Sequence, residues 1–278
     1  MFAGLKIGRL LVLVLALATL LIVSACAAFQ PTNPNGPTSN APQYPIGLSD
    51  VDTRLEEASL AWYQLSQRYG VSGKTEANLH PYTGTLESLP ANLPASIHLP
   101  RVGDPEKPTE EDTREALRRF IVEWQRLIGA EPDELSLVER TDEPSGIKVA
   151  RYEQRPFRYP LRGGFGNLVI RFRSDGQIVG LSSNCIPNAD RLQGMLGNLT
   201  PQVSREQAVD QVKTRQNLPA TAVVELQQLV VYAQPAKATP GAPQSGLEMR
   251  LAWEINVTNG PVSKVYVDAI SNEIIATS

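Results

Sequence analysis

From Leu135 to Ser182 the chain alternates short apolar runs with turn residues, and no crossover helix intervenes. Leu135 to Glu139, Ile147 to Gln154, Leu168 to Arg173 and Ile178 to Ser182 have strand character, and Asp175-Gly176 between the last two is a strong hairpin turn. An acidic, cap-rich opening, Thr109 to Thr113, precedes them. It leads a segment with Ala116, Leu117, Phe120, Ile121, Trp124, Leu127 and Ile128 at helical spacing, closed by Gly129. A helix followed by strands without crossovers predicts an antiparallel sheet packed on that helix.

The same plan recurs downstream. Ser204 to Gln207 fits a capping box, and Ala208, Val209 and Val212 supply a buried helical face. Strands are predicted at Val223 to Tyr232, Leu251 to Val257, Val265 to Ala269 and Glu273 to Ala276, with a mobile loop between Tyr232 and Leu247. Upstream, Ser49 or Asp50 is placed to cap a helix carrying Val51, Leu55, Ala58, Trp62, Leu65 and Tyr69, ended by Gly70. Val71 to about Pro108 reads as an irregular lead-in. The predicted fold class is therefore α+β, with an N-terminal helix and lead-in at 48–108 and two tandem helix-on-antiparallel-sheet units at 109–198 and 199–278.

The amino terminus carries a secretory signal, expected over 1–25: Lys6 and Arg9 precede the apolar run Leu10 to Val23, which is short for a membrane-spanning helix. Val23-Ser24-Ala25-Cys26 resembles the bacterial lipobox, which implies lipidation of Cys26 and an anchor in the cell membrane, or in the outer membrane of a diderm. An ordinary cleavage site at Ala25-Cys26-Ala27 and an uncleaved anchor are the competing readings. Residues 26–47 then form a disordered tether, uncharged between Ala28 and Gly47 and rich in Pro, Asn, Thr, Ser and Gln. The net charge of −3 and the interspersed signs argue against nucleic acid as a partner. With Cys26 lipidated, Cys185 has no disulfide partner and reads as a packed thiol.

Arg151-Tyr152-Glu153-Gln154, Pro160-Leu161, Leu168-Val169-Ile170 and Asp175-Gly176-Gln177-Ile178 resemble the fungalysin/thermolysin propeptide (FTP) motif. Glu225-Leu226 to Tyr232, Leu251-Ala252-Trp253 and Val267-Asp268-Ala269 resemble the PepSY domain. Their order is that of the propeptide of thermolysin-type metallopeptidases, and the resemblance implies a cystatin-like plan for each unit. Phe157-Arg158-Tyr159 and the turn Gly163-Gly164-Phe165-Gly166 depart from the family pattern. The sequence ends at Ser278 without a catalytic segment, which suggests a protein that binds, inhibits or assists an extracytoplasmic metallopeptidase.

The chain's own residues offer little chemistry. A thermolysin-like zinc site needs two histidines four residues apart with a glutamate between, whereas His80 and His98 stand in separate proline-flanked segments. Glu131, Asp133 and Glu134 flank Pro132 without the spacing of a calcium loop and read as a solvated connection. Arg114, Arg118, Arg119 and Arg126 pair on paper with Glu115 and Glu123, while Trp62, Trp124 and Trp253 take core positions. Asp268 is the carboxylate at an otherwise apolar strand end, suited to holding the turn at Ser271-Asn272. No catalytic residue, metal or cofactor is expected. The expectation is a monomeric, non-enzymatic lipoprotein that regulates a peptidase; a structural or ligand-binding envelope lipoprotein is the alternative.

Overall fold

The structure is a computed structural model that describes residues 44–278, apart from 49, 72–74, 91–92, 94–96, 105–108 and 238–245. Cys26, the signal segment and nearly all of the tether lie outside the described residues. The fold is α+β, with sheets of mostly antiparallel strands. No helix among the described residues is long and apolar enough to cross a membrane.

The first sheet has four antiparallel strands in the order β4 (Leu135–Asp142), β5 (Lys148–Gln154), β7 (Asn167–Phe172) and β8 (Ile178–Ser183). Its inner face, with Ala150, Leu168, Ile170, Phe172 and Leu181, packs on helix α2 (Glu110–Glu123) through Leu117, Phe120 and Ile121. Thr109 and Asp112 form a reciprocal capping box at the start of α2, as the acidic opening predicts. The helix breaks at Trp124 and resumes as the short α3 (Gln125–Ile128), with Gly129 beyond it at φ +79.

The N-terminal helix α1 (Val51–Arg68) joins this same core. Trp62 meets Trp124 edge-on at 6.4 Å, and Phe120 stacks on Trp124 at 5.1 Å. Asp50 occupies the N-cap position at φ 66 and its side chain makes no capping bond, while Ser49, the other candidate cap, lies outside the described residues. The lead-in is less irregular than the sequence suggests, because β2 (Asn78–Leu79) and β3 (Leu86–Ser88) form a small hairpin. Leu86, Ile97 and Leu99 are core residues, and buried Thr85 donates from Oγ1 to the Ser183 carbonyl at 2.7 Å.

The second sheet has the order β12 (Ile274–Thr277), β11 (Lys264–Asp268), β10 (Leu247–Thr258), β9 (Val223–Pro235) and β6 (Leu161–Arg162). β1 (Ile46–Leu48) also pairs with β10, antiparallel, so Ile46 and Gly47, expected in the tether, belong to the sheet. Ile46 and Leu48 are buried against Leu247 and Met249, and this apolar burial holds the strand in place. One face of the sheet is covered by α5 (Arg205–Arg215), through Ala208 and Val212, and by α4 (Ala189–Gly197). Ser204 and Gln207 form the predicted capping box. Sequence reasoning missed α4 altogether; Ala189, Leu192 and Leu196 give it an apolar face, but Gly194 and Gly197 depress its helix propensity.

Two features cross the boundary expected between 198 and 199. β6 pairs with β9 in parallel, Leu161 with Val231 and Arg162 with Tyr232, a departure from purely antiparallel pairing. A shared core also gathers Phe157 and Ile186 with Val231, Ala233 and Met249. Gly163 makes the parallel pairing possible, because it sits at φ +98 and a Cβ there would collide with the Ala233 carbonyl oxygen. We therefore expect Gly163→Ala to cost about 3 kcal/mol or more in urea unfolding. Gly164→Ala, at φ +85 but facing open space, should cost only about 1 kcal/mol for the left-handed conformation.

Candidate docking face

Strand β10 is buried on both faces, and its two faces differ in kind. Leu247, Met249, Leu251, Trp253, Ile255 and Val257 alternate into the apolar cores beneath α4 and α5. The intervening residues Glu248, Arg250, Ala252 and Glu254 point to the other face and are also buried. Register fixes their neighbours. Gln234, Tyr232, Val230 and Gln228 of β9 stand opposite them in turn, while Asp268 and Tyr266 of β11 stand opposite Ala252 and Glu254.

Arg250 is the hub of one network, with its side chain 8 % exposed. Its Nε donates to Glu248 Oε1 at 3.0 Å and its Nη1 to Asp268 Oδ2 at 2.9 Å, with Glu273 Oε2 a further 3.6 Å contact. Asp268, fully buried, accepts at Oδ1 from the backbone N–H groups of Ile270 and Ser271 and from the Tyr44 hydroxyl at 2.9 Å. The expected turn-holding role of Asp268 is thus observed, with an ion pair and a long-range anchor added. Burial, and then the Asp268 charge, push the Tyr44 phenol well above its ordinary range. Burial alone would lower Arg250, but the bonds to Asp268 and Glu248 outweigh it and raise the guanidinium instead.

Glu254 is the hub of the other. Its carboxylate accepts from Arg162 Nε at 3.0 Å, Gln228 Nε2 at 3.0 Å, Lys264 Nζ at 3.1 Å and Tyr266 Oη at 3.3 Å. Burial would raise its pKa, yet the bonds from Arg162, Gln228 and Lys264 win and hold it at about 2. The Tyr266 hydroxyl is pushed up to about 12 by burial and the Glu254 charge. Ion pairs on the first sheet's strands are ordinary by comparison: in Arg171–Glu143 the side chains are 46 % and 35 % exposed.

Beside Arg162 lies a groove of about 850 Å³, bounded by the segment 153–167 and by Tyr266. Phe157-Arg158-Tyr159 and the turn Gly163-Gly164-Phe165-Gly166 form much of its wall. Its Gly-rich turn is fixed in place: Asn184 and Asn167 donate to the Gly164 carbonyl, and Gly166 N–H donates to the Asn184 carbonyl at 3.0 Å. The Arg158 backbone N–H is held by Gln193 Oε1 at 2.8 Å, while its guanidinium lies over the Tyr159 ring at 5.3 Å.

The two histidines and the thiol are not brought together. His80 Nδ1 accepts from the Tyr82 and Thr83 backbone N–H groups, and the ring meets Phe165 edge-on at 5.6 Å. His98 forms an isolated bridge with Gln177. Cys185 is fully buried, and burial pushes its thiol up to about 12, so it is inert at neutral pH. Glu131 and Glu134 cap a 3-10 turn. Glu115 takes both Arg118 and Arg119, whereas Glu123 pairs with Arg68 and Tyr69, not with an arginine of its own helix. No group of three or more His, Cys, Asp or Glu side chains able to hold a metal occurs among the described residues.

The two networks give two tests. Arg250→Met strands Asp268 and Glu248 without their cation and should cost about 3–5 kcal/mol, while Tyr44→Phe should cost about 2 kcal/mol, both read from urea midpoints. Because the folded Glu254 pKa lies below the ordinary 4.5, its contribution is complete above that value and is lost as pH falls through about 2. Wild type should therefore exceed Glu254→Gln by on the order of 3 kcal/mol at pH 7, a margin that closes progressively between pH 4.5 and 2.

No family model matches the chain. It is similar to the thermostable neutral protease NprT of Geobacillus stearothermophilus, at 30 % identity over 159 residues, which cover 54 % of this chain and 26 % of that protein. The chain thus spans about a quarter of the length of this relative, and it carries a peptidase-related region.

Proposed function

We propose that this chain is a non-enzymatic, extracytoplasmic lipoprotein, anchored through Cys26, whose FTP-like and PepSY-like regions bind and regulate a peptidase in the manner of a propeptide. The observation that carries this reading is the similarity to NprT in a chain whose two histidines are too far apart in sequence for a two-histidine zinc helix. The likeness to a peptidase is then best sought in a part that accompanies the catalytic machinery. A rigid surface held from beneath by the buried, register-locked charges suits that role, since docking requires a fixed surface and no titrating nucleophile.

The lipid anchor would keep the folded body close to secreted enzymes as they emerge. Lipidation needs the thiol, so labelled palmitate should enter the wild type and be absent from Cys26→Ala. For regulation, the full chain in detergent micelles is mixed with metallopeptidase purified from its host's secreted fraction. Stoichiometric co-elution on gel filtration, with proteolysis or refolding yield changed severalfold, is the expected result. Unaltered proteolysis and refolding, with no co-elution, would remove the regulatory reading.

A further inference from the structure

We propose that the groove beside β6 binds an extended acidic segment of a partner polypeptide. This inference stands on the groove itself, whether or not the partner is a peptidase. Three arginines line it, Arg155, Arg158 and Arg162, against one exposed carboxylate, Glu153. Arg162 is committed to Glu254, and Arg155 shares an exposed pair with Glu153 at 3.0 Å. Arg158 is exposed, with an aromatic neighbour in Tyr159, and the carboxylate in the groove, Glu153, pairs with Arg155 instead. The wall is therefore net cationic, and carboxylates are the complementary side chains, with Arg offering bidentate geometry.

Backbone placement specifies an extended occupant. β6 is an edge strand among the described residues, paired with β9 on one side and with no described strand on the other. The Leu161 carbonyl on that edge accepts from Arg162 Nη1 at 3.1 Å, so a further strand would join through the remaining main-chain groups, with alternate side chains entering flanking pockets. Phe165 and Tyr159 supply partly buried apolar surface for the alternate positions. The clamps on the Gly164 and Gly166 backbone hold the rim in one conformation, which lowers the ordering cost of binding.

The test uses the full chain in detergent micelles and fluorescent hexapeptides that alternate Val with Glu, Gln or Lys. Fluorescence anisotropy should show the Glu peptide binding roughly tenfold or more tighter than the Gln peptide, and the Lys peptide not at all. Arg155→Glu combined with Arg158→Glu should abolish that preference, with the fold checked by circular dichroism. Hydrogen exchange on the unmodified chain should show peptide-dependent protection within Leu161 to Asn167, which decides the matter if the double variant misfolds. Equal affinity for the Glu and Gln peptides, protection elsewhere, or equally tight binding of a single-stranded oligonucleotide of matched charge would overturn the proposal.

Discussion

One guanidinium, that of Arg250, gathers strands that are distant in sequence. It holds Asp268 on β11 and Glu248 on its own strand, and through Asp268 it reaches Tyr44 and the turn that starts the last hairpin. Charges this deeply placed are poor contributors to net stability, since desolvation offsets most of their attraction. Their effect is on uniqueness. A one-residue slip of β10 would send Glu248, Arg250 and Glu254 into the apolar cores under α4 and α5 and bring Trp253 and Leu251 to the charged side. No compensating partner waits on either face, so the register has one solution.

The two sheets handle their helix-free faces differently. The four-stranded sheet carries half-exposed pairs such as Arg151–Glu139 and Arg171–Glu143, as a solvated surface does. The larger sheet covers its charges with tyrosines: Tyr232 and Tyr266 lie 4.6 Å apart over Val230 and Ala252. Long side chains thereby do the covering that a helix would otherwise do. The result is a rigid, polar yet largely closed face, with the groove at its β6 margin.

Much of this architecture was legible. The helical spacing from Ala116 to Ile128, the Asp175-Gly176 hairpin and the Ser204 capping box all correspond to observed elements, because each is a local signal. Asp268 drew notice as a lone carboxylate among apolar neighbours. Glu248, Arg250 and Glu254 did not, since charge at every second strand position normally marks a solvated side, and only the cross-strand register reveals their burial. β1 was hidden for a similar reason: three residues behind a proline- and asparagine-rich stretch have no strand pattern until Met249 and Leu247 stand beside them. β6 is two residues long and gains its identity from β9, far along the chain.

The parallel contact of β6 with β9 also bears on how the polypeptide can be dissected. A fragment starting after Asn198 would retain β9 but lose its outer neighbour, uncovering a bare main-chain edge, and Glu254 would be deprived of Arg162. Such a piece would invite self-association along the stripped edge, however well its own helix and remaining strands assembled.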